Sequence, residues 1–101
     1  MTLTPAQKKQ FKSIGHSLKP VVILGEQGLT EGVLKEADRA LTDHELIKIK
    51  FNLADREERQ EAIQALAQEL RATLVQSVGK MGLFYRKARK PNPKLSNLML
   101  D

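Results

Sequence analysis

Cysteine and tryptophan are absent from the 101 residues, and the aromatic side chains amount to three Phe and one Tyr. Without cysteine there are no disulfides and no thiolate metal ligands, which suits a reducing compartment. So few rings argue against an aromatic platform for stacking nucleobases. Phe11 and Phe51 fall on core-facing stripes, leaving only Phe84 and Tyr85 in a last strand. Long apolar runs are also missing, since none approaches the ~20 residues that span a bilayer. The N-terminal residues lack the basic-then-apolar pattern of a signal peptide. A soluble cytoplasmic protein with no membrane contact is expected.

What the chain does have is positive charge, unevenly spread. The formal net charge is +5, made of +4 in residues 1–24, −4 in 25–45, zero in 46–71 and +5 in 72–101. Both ends are basic and the middle is not. Brought together, the ends would form one positive face that attracts a polyanion and binds it in a salt-sensitive way. The same charge also serves solubility, or an acidic protein partner. A membrane surface fits less well, because no helix pairs a basic face with bulky apolar anchors. The length suits one domain with its own core, here residues 1–88. Residues 89–101, with two prolines and no periodicity, read as a basic, mobile tail.

Periodicity divides the domain into seven elements. Thr4-Pro5-Ala6-Gln7 is a capping-box start with proline at the first helical position, predicting a helix over 5–17. Phe11, Ile14 and Leu18 form its apolar stripe, while Lys8, Lys12, His16 and Lys19 share another face. Residues 21–24 are apolar without alternation, which predicts a central strand covered on both sides. A second helix over 30–42 turns Val33, Leu34, Ala37, Ala40 and Leu41 inward, with His44 at the corner that follows. In residues 46–52, Ile47, Ile49 and Phe51 alternate with Lys48 and Lys50, so two lysines project together from one strand. Asp55 and Glu58 open a third helix reaching about 71, with Ala62, Ile63, Leu66, Ala67 and Leu70 as its stripe. Strands over 73–78 and 83–88 meet across Gly79-Lys80-Met81-Gly82 as a hairpin. The order α-β-α-β-α-β-β predicts an α/β domain of the mixed type. The first strands should be parallel, the last hairpin antiparallel, and the four-stranded sheet packed by helices.

One stretch carries chemistry. Val21-Val22-Ile23-Leu24 runs into Gly25-Glu26-Gln27-Gly28 and leaves through Thr30 into a helix. Two glycines and unpaired helix-start amides can receive a backbone phosphate, and G-x-x-G is the loop with which KH modules clamp a nucleic-acid backbone. The same four residues also serve as an ordinary tight turn, and Glu26 and Glu31 favour an anion only if they point away from it. Catalysis is not expected. No histidine sits in a ligand pattern, no serine in a nucleophile elbow, and Gly79-Lys80 lacks the rest of a P-loop. No metal, cofactor or small-molecule substrate is implied.

Four blocks in order resemble the bacterial YhbY-like proteins, stand-alone members of the CRM (chloroplast RNA splicing and ribosome maturation) family. They are Leu18-Lys19-Pro20-Val21-Val22-Ile23-Leu24-Gly25, Gly28-Leu29-Thr30-Glu31-Gly32-Val33-Leu34, His44-Glu45-Leu46-Ile47-Lys48-Ile49-Lys50, and Val78-Gly79-Lys80 with Leu83-Phe84-Tyr85-Arg86. The resemblance spans nearly the whole chain. It implies a small RNA-binding module related to the C-terminal domain of translation initiation factor three, associating with precursors of the large ribosomal subunit. The family's loop falls on Gly25, Glu26, Gln27 and Gly28, and its basic surface on Lys8, Lys12, Lys19, Lys48, Lys50, Lys80 and Arg86. Glu26 and Gly82 depart from the family pattern. Tyr85 is read either as a base-stacking ring or as a core-rim residue. The expected protein is a monomer that binds precursor rRNA without catalysis. The alternative is an adaptor or translation regulator docking ribosomal or other acidic proteins on the same basic face.

Overall fold

Thr4 caps the first helix as its sequence demands. Its hydroxyl accepts from the Gln7 amide at 3.1 Å while the Gln7 side chain accepts from the Thr4 amide at 3.0 Å. In the computed structural model, which describes residues 3–91 and 96–98, this helix α1 runs Pro5–His16. It is followed by β1 (Pro20–Leu24), α2 (Glu31–His44), β2 (Leu46–Phe51), α3 (Arg56–Glu69), β3 (Thr73–Val78) and β4 (Met81–Tyr85). The seven elements stand in the expected order. The sheet is mixed, in the order β1-β2-β4-β3, with β1 parallel to β2 and β4 antiparallel to both neighbours.

Alternation in β2 sorts the sheet into two unequal faces. Ile47, Ile49 and Phe51 join Val22, Leu24 and Phe84 under α2 and α3, where Ala37, Leu41, Ile63 and Leu66 complete the main core. Each fully buried ring or branched side chain there contributes about 2–3 kcal/mol of transfer free energy. On the other face, among the described residues, α1 is the one helix; its Phe11 packs with Leu46, Val75 and Leu83, and Leu98 joins that cluster. Gly15 lets α1 lie close, because a Cβ there would stand 2.5 Å from a Leu83 methyl. One helix cannot cover four strands, so half of this face is open.

That half-open face corrects the expectation of a central first strand. β1 is an edge strand: Val22 and Leu24 are buried, but Val21 and Ile23 stand in solvent at 49% and 61% exposure. A four-residue apolar run looks identical whether one face or both are covered, and no alternation marked the outer side. The hairpin is tighter than expected as well. Only Gly79 and Lys80 turn, and Gly82 lies within β4, where a Cβ would come 2.8 Å from the Phe84 ring and 3.1 Å from that of Phe51. Gly82 is therefore space for two aromatic rings.

Part of the expected tail contacts the domain. Ser96 is fully buried and donates to Glu45 Oε1 at 2.8 Å, while the Asn97 side-chain amide donates to the Leu46 carbonyl at 2.6 Å. Residues 92–95 and 99–101 of that expected tail lie outside the described residues.

Candidate nucleic-acid interface

The glycine-bracketed loop sits at the end of β1 and closes on itself. The Gly28 amide donates to the Gly25 carbonyl at 3.0 Å, and Gly28 takes a φ of +75°, a left-handed conformation that suits glycine. The Thr30 amide then donates to the Gly28 carbonyl at 3.0 Å, and the Thr30 hydroxyl caps α2 by accepting from the Val33 amide at 3.2 Å. Gly28 and Thr30 thus spend their amides inside the loop. Of the glycines and helix-start groups expected to receive a phosphate, these two amides are not offered to an anion. The groups left for one are the Glu26 and Gln27 amides on the exposed turn and the first amides of α2.

Charge around the loop is one-sided. Toward α3, a cleft of about 620 Å³ is lined by Glu26, Asn52, Asp55, Glu58 and Lys80, with three carboxylates to one amine. Toward the open half of the sheet no strand residue is acidic, and among the described residues no carboxylate lines its two hollows. A polyanion reaching the loop therefore approaches over the open half-face.

On that half-face the register aligns side chains in rows across the strands. Ile23 pairs with Lys50, Lys50 with Met81, and Met81 with Val78. One step further from the loop, Lys48 pairs with Leu83 and Leu83 with Gln76. Lys48 lines two hollows. One, about 360 Å³, lies under the end of α1 with Gly15, His16, Gln76, Val78, Met81 and Leu83. The other, about 220 Å³, holds Leu18, Lys19, Val21 and Asn97.

The sequence-predicted residues thus divide. Lys19, Lys48 and Lys50 belong to the open half-face. Lys8 and Lys12 are exposed on α1, one turn apart on the side that ends at His16. Lys80, at the hairpin tip, joins the loop, with its Nζ 3.4 Å from the Asn52 side-chain oxygen. Tyr85 is a core-rim residue. Its ring lies 4.8 Å from that of Phe11, and burial first, then the Glu45 carboxylate, holds its phenol above the usual tyrosine range.

Arg86 does not belong to this surface. Its Nη1 donates to Asp38 Oδ1 at 2.8 Å and the Leu70 carbonyl at 2.9 Å; its Nη2 donates to the Asp38 carbonyl at 2.9 Å and Thr42 Oγ1 at 3.0 Å. All four Nη hydrogens are occupied, so its reading as a phosphate contact gives way to a structural tie. It also lies at the far end of the sheet. Part of the C-terminal charge therefore lies apart from the N-terminal lysines: Lys87, Arg89 and Lys90, with Arg71, surround a separate cleft there. Sequence reading missed Ile23, Gln76 and Val78 as surface residues. No local signal marked them, because the exposure of each depends on which strands and helix cover that face.

The fold defines the class as a compact α/β domain of three helices and a mixed four-stranded sheet. The particular family follows from comparison: the CRS1 / YhbY (CRM) domain model matches residues 3–86, and the chain belongs to that family. It is 61% identical over 98 residues to a probable RNA-binding protein of Pseudomonas aeruginosa, covering 97% of this chain and 94% of that one. An RNA-binding protein of Haemophilus influenzae is 46% identical over 94 residues, covering 93% and 95%. Among solved structures, a hypothetical protein of Staphylococcus aureus, provisionally described as RNA-binding, superposes with a TM-score of 0.77 at 30% identity. That match covers 88% of this chain and 93% of the other.

Proposed function

We propose that the protein binds RNA without catalysing a reaction, and that it assists maturation of the large ribosomal subunit by holding precursor rRNA through its backbone. The observation that carries this reading is the continuity of the glycine loop with a lysine-bearing half-face whose strands carry no acid. It is supported by relatives named as RNA-binding proteins. In this reading the Glu26 and Gln27 amides and the start of α2 receive a phosphate. Lys19, Lys48, Lys50 and Lys80 neutralise its neighbours, and Lys8 and Lys12 extend the attraction along α1. The protein acts as a cytoplasmic monomer, with no cofactor.

Sedimentation of a cell lysate tests the cellular role. Co-migration with particles near the free large subunit, abolished by ribonuclease, is expected; ribonuclease-resistant association with a soluble protein would favour the adaptor. Gly25→Asp tests the loop. Gly25 has no positive φ and a Cβ there meets nothing within 4 Å, so the variant folds while adding a negative charge. Its affinity for rRNA should fall roughly tenfold at low salt, and unchanged affinity would remove the loop from the interface.

A further inference from the structure

Among the described residues, the large apolar side chains standing open to solvent are Val21, Ile23 and Val78. All three lie on the half of the sheet that α1 leaves bare. Ile23 and Val78 end the same row, with Lys50 and Met81 between them, and Val21 shares the smaller hollow with Lys48. Exposing such side chains together on one patch signals a contact surface. The partner has to offer apolar surface and negative charge within one side-chain spacing of each other.

Unpaired RNA repeats that combination at every nucleotide, whereas a duplex does not. In a paired helix the base faces are stacked on one another and only phosphates, sugars and edges are offered. The geometry points to the open half of the sheet as a platform for unpaired nucleotides, with bases against Ile23, Met81 and Val78 and phosphates at Lys48 and Lys50. The hollow under α1 adds Gln76, whose amide both donates to and accepts from a base edge, beside His16 and Lys48. Aliphatic side chains here take the part that aromatic rings take in other single-strand binders. This inference rests on the RNA-binding reading and adds a preference for single strands.

The test compares an unstructured RNA oligonucleotide with a perfect RNA duplex of equal length, using the full chain and the double variant Ile23→Thr/Val78→Thr. Threonine keeps the β-branched shape, and both positions are more than half exposed, so circular dichroism and the urea midpoint should not move. The wild type should prefer the single strand. The double variant should lose roughly tenfold in single-strand affinity while its salt slope and duplex affinity stay the same. Equal single-strand and duplex affinity in the wild type, or unchanged single-strand affinity in the variant, overturns the platform and leaves RNA binding standing. Wild-type protein that binds neither RNA removes the functional reading itself. Loss of self-association or vesicle binding in the variant, with RNA affinity intact, assigns the face to a second copy or to anionic lipid, and also overturns the platform.

Discussion

Arg86 shows how a cation within a family motif can belong to the fold. Its guanidinium joins Asp38 and Thr42 of α2 to the carbonyl of Leu70 after α3, just where β4 ends. The side chain is only 22% exposed, so these charged hydrogen bonds are partly shielded from water. Arg86→Ala should cost about 2 kcal/mol of stability, read from the urea midpoint, while the salt slope of RNA binding stays unchanged. A reduced slope in the folded variant would return Arg86 to the interface. Tyr85 makes the complementary point for pH. Burial favours its neutral form in the folded state, so the unfolded chain gives up the proton first. The stability this contributes is complete below the ordinary tyrosine value of 10.0 and is lost as pH rises through the higher folded value. As pH rises above 10.0, the wild type should therefore lose more stability than Tyr85→Phe. Parallel losses in the two proteins would show that the phenol does not titrate differently on folding.

At the scale of elements, α1 does two jobs with two faces. Phe11 and Gly15 seat it on β4, and Lys8 and Lys12 are left in solvent beside the open half of the sheet. Because these lysines and Lys19 have no part in the core, Lys8→Ala/Lys12→Ala/Lys19→Ala should fold normally. It should flatten the plot of log affinity against log salt by about 0.7–0.9 for each phosphate no longer neutralised. An unchanged slope would take α1 off the RNA surface. The element boundaries were largely legible in sequence, since the Thr4 capping box, the Thr30 cap and the alternation of β2 are each written within a few residues. The edge position of β1 was not, because it depends on β2 being the one strand that pairs with β1, which no local pattern encodes.

For the molecule as a whole, the chain closes on itself at the corner between α2 and β2. Glu45, 5% exposed and with φ of 63°, accepts from the Ala88 amide at 3.0 Å and from the Ser96 hydroxyl at 2.8 Å. Asn97 donates to the carbonyls of His44 and Leu46, and Leu98 packs toward the α1 side of the core. Ser96→Ala would leave a buried carboxylate oxygen without that donor and should cost about 2 kcal/mol, visible as a lower thermal midpoint. An unaltered midpoint would mean that the Ser96 hydroxyl adds nothing to the fold.

Sequence by itself determined the order of elements, the caps, the core stripes and the family resemblance. Each is carried by neighbours a few residues apart or by blocks in linear order. Tertiary structure alone decided which strand lies at the edge, which loop amides are still free and where each cation is spent. Those outcomes depend on partners far apart in the chain, as with Arg86 and Asp38, 48 residues from each other. Periodicity tells which side chains share a face, whereas only packing tells whether that face is covered.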